Sequence, residues 1–467
     1  MRTVIGRKWV EVLRALLPKR KSDQQAPAFA AHARGSAWLM YLFLLVAQAG
    51  FLAYLAGTAN FTGDGGYYTS MAGKLWTEGL LHDDPYIGYR SYFVPLWIAL
   101  VAHLPGAKWF VADPAFHFGT NQSALFFLVT VALTLAAHRK GMLRLSLPYF
   151  VATMFNPFLL AYLAMPLQES ALVFFVAPML LLVCTPGFVS ASARIALVVL
   201  IAFLAYIIRS SLVWVAVPVI AYLICAGLAS RPRWTRHWKP AILACVAGVL
   251  LLAPHWYVVA NGRERIGTGA AAHHNLLQVQ VAWGIRAFKH GTLLDEQESR
   301  GVWFHSPFRY AEPPHDIGFY ARHPLRGGAL VAGHVYSGLH YDVLLPYFRR
   351  ADIRLVSGWL VLSSLTVFYG VFGLVEGLRR RWPTRAETSV LLTGLVLLSC
   401  GYTAFVATEA RFGILGFSAL SIAACAAFAH EASRARAKAL LPLAAVYVVL
   451  AVLVNAWLLA SAGLIAT

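Results

Sequence analysis

Eleven stretches of this 467-residue chain are apolar over sixteen to twenty-five residues: 37–57, 122–138, 145–164, 168–185, 193–208, 211–229, 240–260, 354–377, 388–407, 410–430 and 439–463. No other feature constrains the fold as strongly. A bilayer core of ~30 Å is crossed by ~20 residues of α-helix, and in hydrocarbon a spanning segment must bond its own backbone groups. Residues are 59% hydrophobic and only 13% charged, whereas an ordinary soluble domain carries about a quarter charged residues. A soluble core stops growing near ~250–300 residues and has no use for so much apolar surface. The expected fold class is an all-α polytopic membrane protein of about eleven crossings, and a large soluble helical protein is excluded.

A net charge of +19 does not indicate nucleic acid here, because the basic residues fall in short clusters between apolar runs. The clusters are Arg139/Lys140/Arg144, Arg231/Arg233/Arg236/Lys239, Arg379/Arg380/Arg381/Arg385 and Arg434/Arg436/Lys438. Such loops stay on the cytoplasmic side of a membrane. With them inside, the connections facing outward are 58–121, the break near 165, Arg209–Ser211, the long 261–353 segment and Glu409. The basic stretch 1–36 reads either as a surface-lying cytoplasmic helix, with Val4, Trp9, Leu13 and Leu17 among its apolar positions, or as a basic tail. Cys184, Cys225, Cys245, Cys400 and Cys425 all sit in apolar runs without CxxC spacing, the pattern of small core residues rather than a disulfide or metal framework.

This divides the chain into 1–36, a transmembrane module 37–260 with its first outer loop at 58–121, the outer segment 261–353, and C-terminal helices 354–467. Residues 92–107 are apolar but short and carry Pro95, His103 and Pro105. A crossing there would invert every later loop, so this stretch is expected to lie along the outer surface as a helix. The outer segment 261–353 is rich in aromatic residues and is expected to pack as a cap. Its histidines (His273, His274, His290, His305, His315, His323, His334, His340) show no metal-ligand spacing, so no metal site is assigned.

Polar residues recur at the outward helix ends, where apolar ones would be cheaper. Gly63-Asp64-Gly65-Gly66-Tyr67-Tyr68 follows the first run, and 67–78 has Tyr68, Ala72 and Leu75 on one helical face. On spacing alone Asp64 reads first as the cap of that helix, with a group aimed at chemistry as the other reading. Glu169 follows Asn156-Pro157 and Met165-Pro166, and Arg209 interrupts an apolar run of more than thirty residues. His255 lies at the end of the seventh run, and Glu409-Ala410-Arg411-Phe412 opens the tenth. Ionisable groups at membrane depth are costly and mark functional sites, although snorkelling accounts for many of them singly. Their convergence on one face points to a site. Arginine suits a phosphate on a lipid carrier, with Arg90, Arg263 and Arg265 as further candidates, and a carboxylate suits a general base.

In its order of motifs the chain resembles the GT-C superfamily of membrane glycosyltransferases, in the branch of protein O-mannosyltransferases and the lipid A aminoarabinose transferase. The resemblance rests on Asp64-x-x-x-Tyr68-x-x-x-Ala72, Gly79, Pro95, Asn156-Pro157 with Glu169, Arg209, Pro254 and Trp256 with Asn261 and Gly267, His323-Pro324, and Glu409-x-Arg411-Phe412. It implies an inverting transfer of a sugar from a polyprenyl-phosphate donor to an acceptor hydroxyl on a lipid, glycan or protein. Asp64 would be the base and Arg209 the holder of the donor phosphate. Glu169, Arg411, Tyr68, Arg90 and His255 would line the substrate site. The location implied is a bacterial inner membrane with the active face periplasmic. Two departures stand out. Gly65 occupies the place of a second acidic residue found in many relatives, which argues against a two-carboxylate or metal-dependent version. Trp256-Tyr257-Val258-Val259-Ala260-Asn261 lacks the arginine of the relatives' Trp-x-x-Arg-Asn.

Two other classes use similar parts: a polymerase or ligase of lipid-linked glycans, and a lipid or glycolipid transporter. Matching halves and broken midplane helices would favour the transporter, and the halves of this sequence do not match.

The orientation has a direct check. A Lys140→Cys variant should react with a membrane-impermeant thiol reagent only after the cells are opened; labelling of intact cells would invert the topology.

Overall fold

The computed structural model describes residues 32–58, 64–81, 91–104, 114–229, 235–261, 281, 284–285, 287–294, 299–305, 317–340, 353–379, 386–405 and 413–461. The basic segment 1–31 and the candidates Arg90, Arg263, Arg265, Glu409 and Arg411 lie outside the described residues. The fold is a helical bundle with one two-stranded ribbon. Helices α1 (His32–Thr58), α2 (Asp64–Glu78), α3 (Phe93–Ala102), α4 (Pro114–Arg139), α5 (Leu143–Ala152) and α6 (Pro157–Leu160) come first. Then follow α7 (Gln168–Cys184), α8 (Ala191–Ile208), a 3-10 turn (Ser210–Val215), α9 (Ala216–Ala229) and α10 (Thr235–Ala260). The outer segment contributes strands β1 (Ala287–Leu294) and β2 (Ser299–His305) and helices α11 (Gly318–Arg322) and α12 (Pro324–Leu339). The chain closes with α13 (Ile353–Leu378), α14 (Ala386–Thr403), α15 (Ile414–Ala429), α16 (Glu431–Ala439) and α17 (Leu441–Ser461).

Seven helical stretches among the described residues are long and apolar enough to cross a membrane: Ala37–Ala56, His117–Arg139, Ala191–Ile208, Ser210–Leu228, Lys239–Val258, Gly358–Leu378 and Ala386–Thr403. An eighth is reached if α15 and the following helix, bent by 104°, count as one span. The chain is therefore an integral membrane protein of polytopic, helical type. The stretches Leu143–Ala152, Gln168–Cys184 and Leu441–Trp457, like Phe93–Ala102, are apolar but shorter.

The run 145–164 is not one continuous helix, for reasons written in its residues. Asn156 adopts an extended backbone, and its side chain accepts a hydrogen bond from the Phe158 N–H, so it caps a new helix with Pro157 at the first position. Proline donates no hydrogen bond back to the preceding turn, and α5 stops at Ala152. The interrupted backbone from Thr153 to Leu167 is buried except at the half-buried Pro157, with Met154, Leu163 and Ala164 fully enclosed. Broken backbone is tolerated at membrane depth only when protein encloses it. Glutamines from neighbouring helices serve the freed carbonyls. Gln48 of α1 donates to the Met154 carbonyl (2.9 Å) and to Thr130 Oγ1 (3.1 Å). Gln122 of α4 donates to the Leu163 carbonyl (2.8 Å) and accepts from Trp97 Nε1 (2.7 Å).

Helix α3 is ten residues long, ~15 Å of rise, half of a bilayer core. It packs on α2 and α4 and buries Val94, Ile98 and Val101. Trp97 of α3 rests against Phe174 and Phe175 of α7, with ring centroids 4.8 Å from each. Elsewhere α8 packs on α10, α9 on α14, and α13 on α15. The α13–α15 contact depends on small residues, as lipid-embedded helix pairs do. A Cβ at Gly370 would lie 2.7 Å from the Leu420 carbonyl oxygen, and one at Gly373 would meet the Ala423 carbonyl at closer range. The bundle's outer surface is apolar, with Leu39 and Phe43 of α1, Leu243 and Leu250 of α10, and Leu453 of α17 exposed to the surrounding lipid.

The described part of 261–353 docks on the C-terminal helices. β1 and β2 pair antiparallel, from Leu294 opposite Ser299 to Ala287 opposite His305. His334 of α12, fully buried, bonds through Nδ1 to the Ala404 carbonyl (2.9 Å) and through Nε2 to the Gly284 carbonyl (2.8 Å). Tyr336 donates to the Ala451 carbonyl (2.9 Å), and His340 Nε2 meets Tyr447 OH at 2.8 Å. The described part of the segment is held to α14 and α17 by polar contacts.

Replacing Gln122 with Leu strands the Leu163 carbonyl and the Trp97 N–H. The thermal midpoint in detergent should fall, by an amount equivalent to about 1–2 kcal/mol; an unchanged midpoint would show that the broken segment does not rely on this glutamine.

Candidate functional site

The site forms where three chain breaks meet. The apolar run containing Arg209 does not continue as one helix: α8 ends at Ile208, and Arg209 takes an extended backbone (φ −149°, ψ 106°) before the 3-10 turn. Its N–H still donates to the Ala205 carbonyl (3.0 Å), and its carbonyl accepts from the Leu212 N–H (2.8 Å), so the break leaves both of its backbone groups bonded. A cation in the middle of a crossing would be expensive, and at a helix end its side chain can turn towards polar partners.

Glu169 reaches the same point from α7. Leu167 is extended ahead of the helix, and Glu169 falls in the first turn, where a negative charge is favoured by the unpaired N–H groups of the helix start. Arg209 Nη1 donates to Glu169 Oε1 at 3.0 Å, with side-chain exposures of 14% and 3%. Arg209 Nε donates to Ser211 Oγ (3.1 Å), Nη2 approaches Tyr402 OH (3.5 Å), and Tyr402 OH donates to Ser211 Oγ (3.2 Å). The guanidinium is thereby held in a fixed orientation by groups from α7, the 3-10 turn and α14. Two buried polar atoms have no partner among the described residues: Nε2 of Gln168, the residue before Glu169 in the chain, and Nε1 of Trp214, whose ring lies 6.4 Å from that of Tyr402.

Helix α2 begins beside this group. Asp64 is its first residue, and its side chain lies outside the described residues. Gly65 packs against the Pro166 ring, and a Cβ there would lie 3.3 Å from Pro166 Cγ. Any side chain at this position would require the Pro166 ring to give by a few tenths of an ångström. Glycine brings the start of α2 within touch of the segment leading to Glu169. Tyr68, Ala72 and Leu75 are buried on one face of α2, as their spacing predicts, and Met71 joins them. Tyr68 is 2% exposed and sits edge-on to Tyr67 (5.5 Å, 72°).

Of the sequence-derived candidates, Glu169 and Arg209 are brought into direct contact, and the start of the Asp64 helix adjoins them. His255 is half-buried near the end of α10, its ring 6.0 Å from Trp256, and no contact among the described residues joins it to Arg209. Arg90 and Arg411 lie outside the described residues. Ser211 and Tyr402 were not legible as site residues. A tyrosine near a helix end reads as part of an aromatic membrane belt, and only the packing of α14 against the 3-10 turn reveals its bond to Arg209. No group of three metal-ligating side chains occurs among the described residues. No family model, curated protein or solved structure matches this chain.

A nearly buried ion pair has a characteristic mutational signature. Glu169→Met alone removes the Glu169 carboxylate from the guanidinium and should cost about 3–5 kcal/mol, whereas Glu169→Met/Arg209→Met should recover most of that loss. Denaturation of the single and double variants in detergent checks the coupling; additive losses would mean that the two side chains act independently.

Proposed function

We propose that this protein is a GT-C-like glycosyltransferase that moves a sugar from a polyprenyl-phosphate donor to an acceptor hydroxyl at the outer face of the membrane. The observation that supports this best is the Glu169–Arg209 pair at the meeting of three chain breaks (3.0 Å), with the helix that starts at Asp64 packed alongside through Gly65 and Pro166. A fixed cation near the ends of apolar helices suits the phosphate of a carrier whose prenyl chain stays in the lipid. The neighbouring carboxylate position suits the removal of a proton from a hydroxyl.

In this reading the Asp64 carboxylate takes the proton of the acceptor hydroxyl as its oxygen attacks the anomeric carbon. The bond from that carbon to the phosphate oxygen breaks, and polyprenyl phosphate leaves with its charge held by Arg209. Attack opposite the leaving group inverts the anomeric centre. Phosphate is a good leaving group, so no strong acid is required. Glu169, Tyr402 and Ser211 orient the guanidinium, and Arg411 and Arg90 are assigned to the phosphate or the acceptor. Tyr68 and His255 complete the proposed pocket. The α5–α6 region, α7, α15 and α17 complete eleven crossings, with the basic clusters in the cytoplasm of a bacterial inner membrane and Asp64 on the periplasmic side.

Asp64→Asn should lower kcat for sugar transfer by about 10²–10⁴-fold with little change in donor KM. Arg209→Ala should act mainly through donor KM, raising it by roughly tenfold or more. The assay uses purified enzyme in detergent with a polyprenyl-phosphate sugar. Full activity of Asp64→Asn would remove the proposed base, and transfer only of a preassembled glycan would make the protein a ligase.

A further inference from the structure

A second site lies at the other end of the bundle. Helix α4 runs from the Gln122 contact with Leu163 to Arg139, and α5 starts again just beyond, carrying Arg144 in its first turn. Helix α15 likewise runs away from Gly413 and the outer segment to Phe428 and Ala429, where α16 turns off with Arg434, Arg436 and Lys438. Between α5, α13, α15 and α16 is a cleft of about 640 Å³. Leu147, Val151, Leu365 and Phe428 form an apolar wall, and Arg144 and Arg434 are the charged residues lining it. No acidic side chain lines the cleft among the described residues.

The two arginines are held differently. Arg434 donates through Nε to the Phe428 carbonyl (2.7 Å) and through Nη2 to that of Ala429 (3.2 Å), so it is anchored on the last carbonyls of α15, where a cation is favoured. Arg144 is exposed and has no carboxylate partner among the described residues. Glu376 of α13 is paired with Arg436 at 2.8 Å, and Glu431, one turn before Arg434 on α16, is exposed and is not among the residues lining the cleft. The charge of the cleft is therefore positive and not cancelled from its own walls.

We infer that this cleft binds an anionic phospholipid, the headgroup phosphate between Arg144 and Arg434 and an acyl chain along Leu147, Val151, Leu365 and Phe428. Basic pockets between membrane helices on the cytoplasmic side are suited to anionic headgroups. The charged side chains that the cleft offers among the described residues, Arg144 and Arg434, match a phosphate and not the ammonium of a zwitterionic lipid. From Arg144 to Val151 the α5 wall rises only ~10 Å, which accommodates the upper part of an acyl chain rather than enclosing a long prenyl chain. The site is separate from the Glu169–Arg209 pair and does not depend on the sugar-transfer reading.

The test is native mass spectrometry of the full-length protein in detergent, titrated with phosphatidylglycerol, phosphatidylcholine or polyprenyl phosphate. Phosphatidylglycerol should bind about tenfold or more tightly than phosphatidylcholine, from two arginine contacts at the membrane surface. Arg144→Ala/Arg434→Ala should abolish that preference. Arg144→Lys/Arg434→Lys should keep most of it, and Lys438→Ala, at the same end but outside the cleft, should keep all of it. Val151→Trp fills the apolar wall without changing charge and should weaken phosphatidylglycerol binding while the protein remains folded by circular dichroism. Equal binding of the two phospholipids, full preference in the double alanine variant, or an equal loss in Lys438→Ala would overturn the assignment. Tighter binding of polyprenyl phosphate than of phosphatidylglycerol would overturn it as well.

Discussion

Inside a bilayer there is no water to take up a stray backbone hydrogen bond, and the arrangement of this bundle follows from that condition. Where the chain stays helical the condition is met locally. Between Thr153 and Leu167 it is not, because the prolines at 157 and 166 interrupt the ladder. The bundle responds by burying the segment and sending Gln48 and Gln122 to its carbonyls. Those two side chains in turn set how α1 and α4 lie against the rest, so that a local defect in one helix becomes a fixed junction among several.

The same junction creates the site. A chain that breaks at membrane depth ends one helix and begins another, and each end exposes polar backbone that can stabilise charge. Glu169 occupies the first turn after one break, and Arg209 occupies another break. Neither charge would be tolerable alone at such low exposure; together, with Ser211 and Tyr402 satisfying further donors, they form a rigid polar group within an apolar bundle. The basic end of the bundle is built on a different principle. Of its arginines, Arg434 is held by the last carbonyls of α15, Arg436 by the Glu376 carboxylate, and Arg144 is exposed without a carboxylate partner among the described residues.

Much of this was legible in the residues. Length and hydropathy identify the crossing helices, and the seven long ones fall within or near predicted runs. The face of Tyr68, Ala72 and Leu75 follows from helical spacing. Glu169 and Arg209 stood out because ionisable residues in apolar context are costly. Less visible was the fragmentation of 145–164: periodicity shows an apolar run, but whether Asn156-Pro157 kinks a helix or starts a new one depends on whether neighbours can serve the released carbonyls. The ribbon Ala287–Leu294 with Ser299–His305 was hidden for a similar reason, since a short hairpin in a long loop becomes stable only when packed against other elements, here α12 and α17.

The sequence by itself determined that the chain is a polytopic helical membrane protein, because hydropathy is a local, additive property, and it marked which charged residues are out of place there. Tertiary structure alone decided which of them meet. The 40 positions between Glu169 and Arg209, and the 193 between Arg209 and Tyr402, carry no signal of contact. That proximity arises from how close-packed small residues let the helices approach, and from which backbone breaks the bundle was able to enclose.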